Sequence, residues 1–194
     1  TDLTPALQEL STETITVAPT GASVLWSDFN SANLSAMLKS EMISWPVTLG
    51  ILVLAFGALV AAGLPLLLTL AGLIASAGVL VLLNELMPVS IWAMNFAMMF
   101  ALALGIDYAL FLVVRFRAAR MGQKLSMRDS IAQTMDTAGK AILLSGVTVL
   151  ISLSAVMLVP SPAFRSMAGG IMISVVFVLA ATLTLLPLVL AKLD

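Results

Sequence analysis

Cysteine and histidine are both absent from this chain of 194 residues, tyrosine occurs once, and only 10% of the residues are charged. The first two absences exclude disulfides, thiol nucleophiles, and thiolate or imidazole metal sites. No nucleophile–base pair stands out, so no enzyme activity, cofactor or metal centre is expected. A formal net charge of -1 gives no basic footprint for nucleic acid. What is abundant is apolar: 61% of the chain is hydrophobic, with several runs beyond the roughly 18 residues that mark a membrane span. The twelve methionines are scattered through these runs and read as packing or lipid-facing residues, not as a copper site.

The expected fold class is all-α integral membrane, with a small α/β stub at the N-terminus. Residues 1–41 form the polar stub. They carry Glu9 and Glu13 and no basic region of a signal peptide, so the chain reads as part of a longer polypeptide. Thr14–Ala18 reads as a short strand and Pro19–Gly21 as a turn. Asp28–Lys39 reads as an amphipathic helix with Leu34, Met37 and Leu38 on one side.

The membrane domain is expected over 42–192, with helices at about 44–63, 64–86, 91–114, 141–159 and 167–190. Each is close to the roughly 20 residues that cross a hydrocarbon core, and in lipid such runs must be helical. Gly63-Leu64-Pro65 reads as the tight turn between the first two. Pro46 reads as a first-turn residue and Pro187 as one near a helix end.

Six of the nine basic residues lie in 115–140: Arg115, Arg117, Arg120, Lys124, Arg128 and Lys140. The positive-inside rule places that segment in the cytoplasm, giving an extracytoplasmic N-terminus and a cytoplasmic C-terminus. Arg115, Arg117 and Arg120 serve as cytoplasmic anchors. Ser126-x-x-Asp129 resembles a helix start. Met127, Ile131, Met135 and Ala138 then recur at helical spacing, suggesting an amphipathic helix on the inner membrane face.

One charge lies where it is expensive. At about 1.5 Å per residue, Asp107 sits about 24 Å from Ile91 and about 12 Å from Arg115, inside the hydrocarbon. A central Asp costs about 2.5–3.5 kcal/mol by insertion scales and usually marks a proton or ion pathway. Its structural alternative is a neutral strut between helices. Tyr108 either donates to a carboxylate on a partner helix or fills space. Ala97, Ala101, Gly105 and Ala109 form a small-residue ridge for helix packing, and Asp107 points away from it. Ser145, Thr148 and Ser152 form one polar stripe on the next span, either as a hydroxyl relay or bonding their own helix carbonyls.

These residues carry a family resemblance. GIDYALFLVVRFR, Gly105–Arg117, resembles the fourth-helix signature of the MMPL branch of the resistance-nodulation-division (RND) superfamily. Phe56–Leu68 and Thr137–Leu153 are similar to that family's second-to-third helix hairpin and to its entry into the fifth helix. The resemblance implies half of an RND-type bundle: the end of an extracytoplasmic porter domain plus helices two to six of one repeat, the first. It further implies proton-motive-force-driven export of lipids or other hydrophobic molecules across the cell membrane, with Asp107 and Tyr108 as the proton relay and protons as the coupling ion. The expected partners are membrane lipids, the hydrophobic substrate, and a second RND repeat of the same protein or an equivalent chain. Two other architectures are similar: a sterol-sensing-domain-like lipid-binding module and a SecD/SecF-type translocation accessory.

Overall fold

The computed structural model describes residues 20–57, 59–86 and 89–192. The chain divides into two units, Thr1–Thr48 and Leu49–Asp194. Its helices are α1 (Ala22–Phe56), α2 (Leu59–Leu86), α3 (Ile91–Arg117), α4 (Met127–Thr134), α5 (Lys140–Val156) and α6 (Pro162–Lys192). Two wide π-type turns, Ala118–Gly122 and Met135–Gly139, follow α3 and join α4 to α5. Five helical stretches are long and apolar enough to cross a membrane, and α4, the second π-type turn and α5 count as one of them.

The described residues contain no strand. The expected strand at Thr14–Ala18 lies outside them, while 22–41 belong to α1, so the α/β stub is not supported and its described part is helix. At 35 residues, α1 takes in both the expected amphipathic helix and the first span. No glycine or proline interrupts residues 22–45, so nothing in that stretch stops the helix. Pro46 consequently lies inside α1, not in a first turn. There it removes one backbone donor, a loss that membrane helices tolerate. In the first unit Trp26 and Phe29 meet edge to face at 6.1 Å, and Ser31 Oγ donates to Asp28 O.

The turn between the first two spans also moves. Gly63-Leu64-Pro65 lies within α2, and the helix break falls at Gly57, which takes φ 67°. A residue without Cβ enters this left-handed region freely, which is why helices so often end there. Arg117, in the last turn of α3, fixes the break from a distance. Its Nη1 donates to Phe56 O at 2.6 Å, and its guanidinium lies 5.7 Å from the centre of the Phe56 ring. The last carbonyls of a helix lack intrahelical donors and carry partial negative charge, so a cation there stabilises the end.

In the second unit, α2, α3 and α6 pack against one another, and α5 packs on α6. Lipid tails give helices no hydrophobic reason to associate, so close van der Waals approach must supply the attraction. Small residues mark each crossing. A Cβ added at Gly105 would lie 2.6 Å from Thr69 Oγ1, and one at Gly170 would lie 3.0 Å from Ala93 O. Gly146 of α5 is pressed in the same way against Leu179 of α6. The large apolar side chains left outside, among them Leu54, Leu67, Leu82 and Leu144, are those expected to face acyl chains.

The segment after α3 contains the expected helix, as α4, and it packs through small residues. Ser126 caps α4, with its Oγ accepting from Asp129 N–H at 3.1 Å and donating to Asp129 Oδ2. The buried face is Ser130, Thr134 and Ala138, while Met127, Ile131 and Met135 are only half-buried. Size, not apolarity, selects the packed face here.

Two measurements test these contacts. Gly105→Ala should lower the melting temperature by the equivalent of about 1–3 kcal/mol, the usual cost of overpacking, and Thr69→Ala in the same chain should recover most of the loss. Arg117→Gln should free the end of α1. Loss of a charge-assisted hydrogen bond of about 1.5–3 kcal/mol should speed amide exchange at Gly57, whose N–H donates to Val53 O, by about tenfold or more.

Candidate functional site

The two faces of α3 are chemically distinct. Ala97, Ala101, Gly105 and Ala109 are buried, and Ala93 extends the ridge by one turn. On the opposite face Met99, Ala103, Asp107 and Phe111 are exposed at intervals of four residues. Asp107 therefore stands on the outer face of this unit and makes no hydrogen bond or ion pair with any described residue. Tyr108 follows it in sequence but is turned inward, 7% exposed.

Tyr108 spans the gap between α3 and α5. Its hydroxyl lies 3.4 Å from Ser145 Oγ, and either atom could donate. That separation is long beside the roughly 2.7–2.8 Å usual between hydroxyls, so the contact is weak as it stands. Around it α3 and α5 are each packed on α6, which makes α6 the floor of a shallow groove and Asp107 part of one rim. Ser145, Thr148 and Ser152 are exposed along the other rim. Of the three only Ser145 reaches across. Thr148 Oγ1 donates to Leu144 O and Ser152 Oγ to Thr148 O, each at 2.9 Å within the helix.

The three arginines after the spanning part of α3 have different partners. Arg115 Nε donates to Thr137 Oγ1 at 3.2 Å, Arg117 holds the end of α1, and Arg120 Nη1 donates to Leu125 O at 2.8 Å. Thr137 was not singled out by the sequence, and it lies inside the second π-type turn. Nor was Thr69, which is buried under Gly105 and donates to Pro65 O at 2.8 Å. A clue to Arg117 was present in Phe56-Gly57, a large residue followed by a helix-ending glycine. No comparable signal marks a π-type turn, because its extra residue leaves the apolar pattern readable as ordinary helix.

The family model described as MMPL family matches residues 1–193. The chain is 38% identical over 154 residues to SCO6666 of Streptomyces coelicolor, named as a membrane protein, which covers 79% of this chain and 22% of that one. It is 36% identical to the heme uptake protein MmpL11 of Mycobacterium tuberculosis, over 79% of this chain and 16% of the relative. With the mycolic acid-containing lipids exporter MmpL11 of Mycolicibacterium smegmatis it shares 34% identity over 88% of this chain and 18% of the relative. The chain thus spans about a fifth of the length of the curated relatives it matches. With a family match along its length and five helices able to cross a bilayer, it is a multi-pass membrane protein, and it belongs to the MMPL family.

Proposed function

We propose that this chain is part of the membrane domain of a transporter that exports lipids or other hydrophobic molecules, driven by protons taken up and released at Asp107. The observation that carries the reading is a carboxylate without a partner among the described residues, on a membrane-spanning helix, at the rim of a groove lined by Tyr108 and Ser145. An ionised carboxylate is strongly disfavoured against acyl chains, whereas a protonated one is far less so. Loading a proton on Asp107 therefore changes which surroundings its face of α3 tolerates. A conformational equilibrium is moved only by such a difference between states, and this one links proton binding to movement of the helix. Tyr108, which reaches Ser145 across the groove, would hold or pass the proton beside it.

One family relative supports the substrate class by name, being called a mycolic acid-containing lipids exporter. The carboxylate's partner is assigned to the remainder of the transporter, a second repeat or an equivalent chain. The groove opens outward, where such a partner would cover it. The crowding of basic residues in 115–140 supports a cytoplasmic location for that segment and for the C-terminus, with the N-terminus extracytoplasmic.

In the full-length protein, Asp107→Asn should abolish proton-coupled export, measured as gradient-dependent lipid efflux from reconstituted vesicles. Retention of full transport by that variant would overturn the relay. Lipid binding that persists unchanged across pH and in Asp107→Asn, without transport, would instead favour a lipid-binding regulatory module. Orientation has a separate test on this chain itself, which carries no cysteine of its own. A cysteine introduced at Gln123, which is exposed, should react with a membrane-impermeant maleimide only after the cytoplasmic face is opened.

A further inference from the structure

The groove beside Asp107 is crossed twice. Tyr108–Ser145 is one crossing and Arg115–Thr137 the other. Seven residues on α3 and eight on the opposing arm separate the two, about 10–12 Å at a rise of about 1.5 Å per residue. The matched spacing makes them successive rungs between antiparallel helices. Along the opposing arm the same exposed face carries Thr137, Ala141, Ser145, Thr148 and Ser152. Four of these bear hydroxyls, and the break between the two rungs is Ala141, the smallest side chain that could stand there short of glycine.

The basic end is built differently from the rest of the groove. There α3 is in direct contact with α4 and with the π-type turn Met135–Gly139, and Thr137 stands exposed beside that contact. Such wide turns are uncommon and tend to occur at functional positions. Lys140 N–H reaches back to Met135 O around this one. Thr137 Oγ1 donates to Gln133 O at 2.8 Å while accepting from Arg115 Nε, so its single proton is committed away from the groove. The guanidinium is a permanent cation, and a fixed positive charge repels a proton approaching along the rim. The neighbouring charges are otherwise engaged: Asp136 pairs with Lys140, and Arg117 is held at Phe56 O.

We propose that Arg115 and Thr137 form a gate between Asp107 and the cytoplasm, closed in this structure, and that water over Ala141 joins the gate to the Tyr108–Ser145 rung. Opening requires Arg115 to leave Thr137. A proton then passes from the Asp107 carboxyl, leaving a carboxylate, through water at Ala141 to cytoplasmic water, and Thr137 becomes free to donate or accept along the way. The inference rests on the proton-coupled reading above.

The test uses the full-length protein in vesicles of phosphatidylethanolamine and phosphatidylglycerol, with a lumenal pH dye and an imposed pH gradient. Arg115→Gln should raise substrate-independent proton flux severalfold, Arg115→Lys should keep it near the parent level, and Asp107→Asn added to Arg115→Gln should abolish the excess. Ala141→Leu should cut coupled proton flux severalfold, and Ala141→Ser should preserve it. Position 141 is exposed in this unit, so a leucine there does not threaten the packed core. If Asp107→Asn alone abolishes coupled flux while Arg115→Gln stays tight and Ala141→Leu runs at the parent rate, the gate is overturned and the relay stands. Excess flux that persists in the double variant is a leak outside the route and also overturns the gate. Unchanged flux in Asp107→Asn by itself removes the relay, and the gate falls with it.

Discussion

Everything in this unit depends on how closely its helices approach at a few small residues. In water, apolar faces associate because burial removes them from solvent; in lipid that gain is absent, and contact itself must hold helices together. Gly105 against Thr69, Gly170 against Ala93 and Gly146 against Leu179 bring three helices onto α6 or onto one another. Because α3 and α5 both dock on α6, they stand side by side without merging. The groove between them is a consequence of those dockings.

The same packing decides the direction of the costly carboxylate. The alanine ridge and Gly105 need the inner face of α3, and a residue two positions from Gly105 is carried by helical geometry to the far side. Tyr108, one residue on, is rotated back far enough to be buried and to reach α5. A single helix turn thus separates three tasks: close packing at Gly105, proton chemistry proposed for Asp107, and bridging at Tyr108. Shifting the ridge by two residues would put the carboxylate into the packed interface.

The sequence was informative where the physics is local. Long apolar runs identified the spans, since a bilayer imposes length and composition directly, and the direction of Asp107 away from the alanine ridge followed from helical periodicity. It misled where the deciding partner is distant. Gly63-Leu64-Pro65 has a stronger turn composition than Phe56-Gly57, yet the helix ends at Phe56, whose carbonyl Arg117 holds from α3. Between Met127 and Ala138 the apolar spacing located the helix, while the residues packed against the protein are Ser130, Thr134 and Ala138. Hydrophobicity patterns sort residues by affinity for water, and a membrane-protein interface sorts them by size. Residues 22–41 of the expected stub belong to α1 because a polar stretch without breakers can extend a helix.

The outer face of α3 and α5 is the least finished part of the unit. Its apolar members, Met99, Phe111 and Leu144, suit acyl chains, but Asp107, Ser145, Thr148 and Ser152 on the same surface do not. Two of the hydroxyls are satisfied by their own helix, which leaves them indifferent to what lies outside. Asp107 has no such recourse, since the described residues offer it neither a donor nor a counter-ion. The chain spans about a fifth of its relatives' length, and in the proposed reading the remainder of a transporter covers that face. Under the proposed relay, such a half-suited surface fits a sliding or rocking contact: protonation would make the face tolerable to either neighbour, and ionisation would commit it to the polar one.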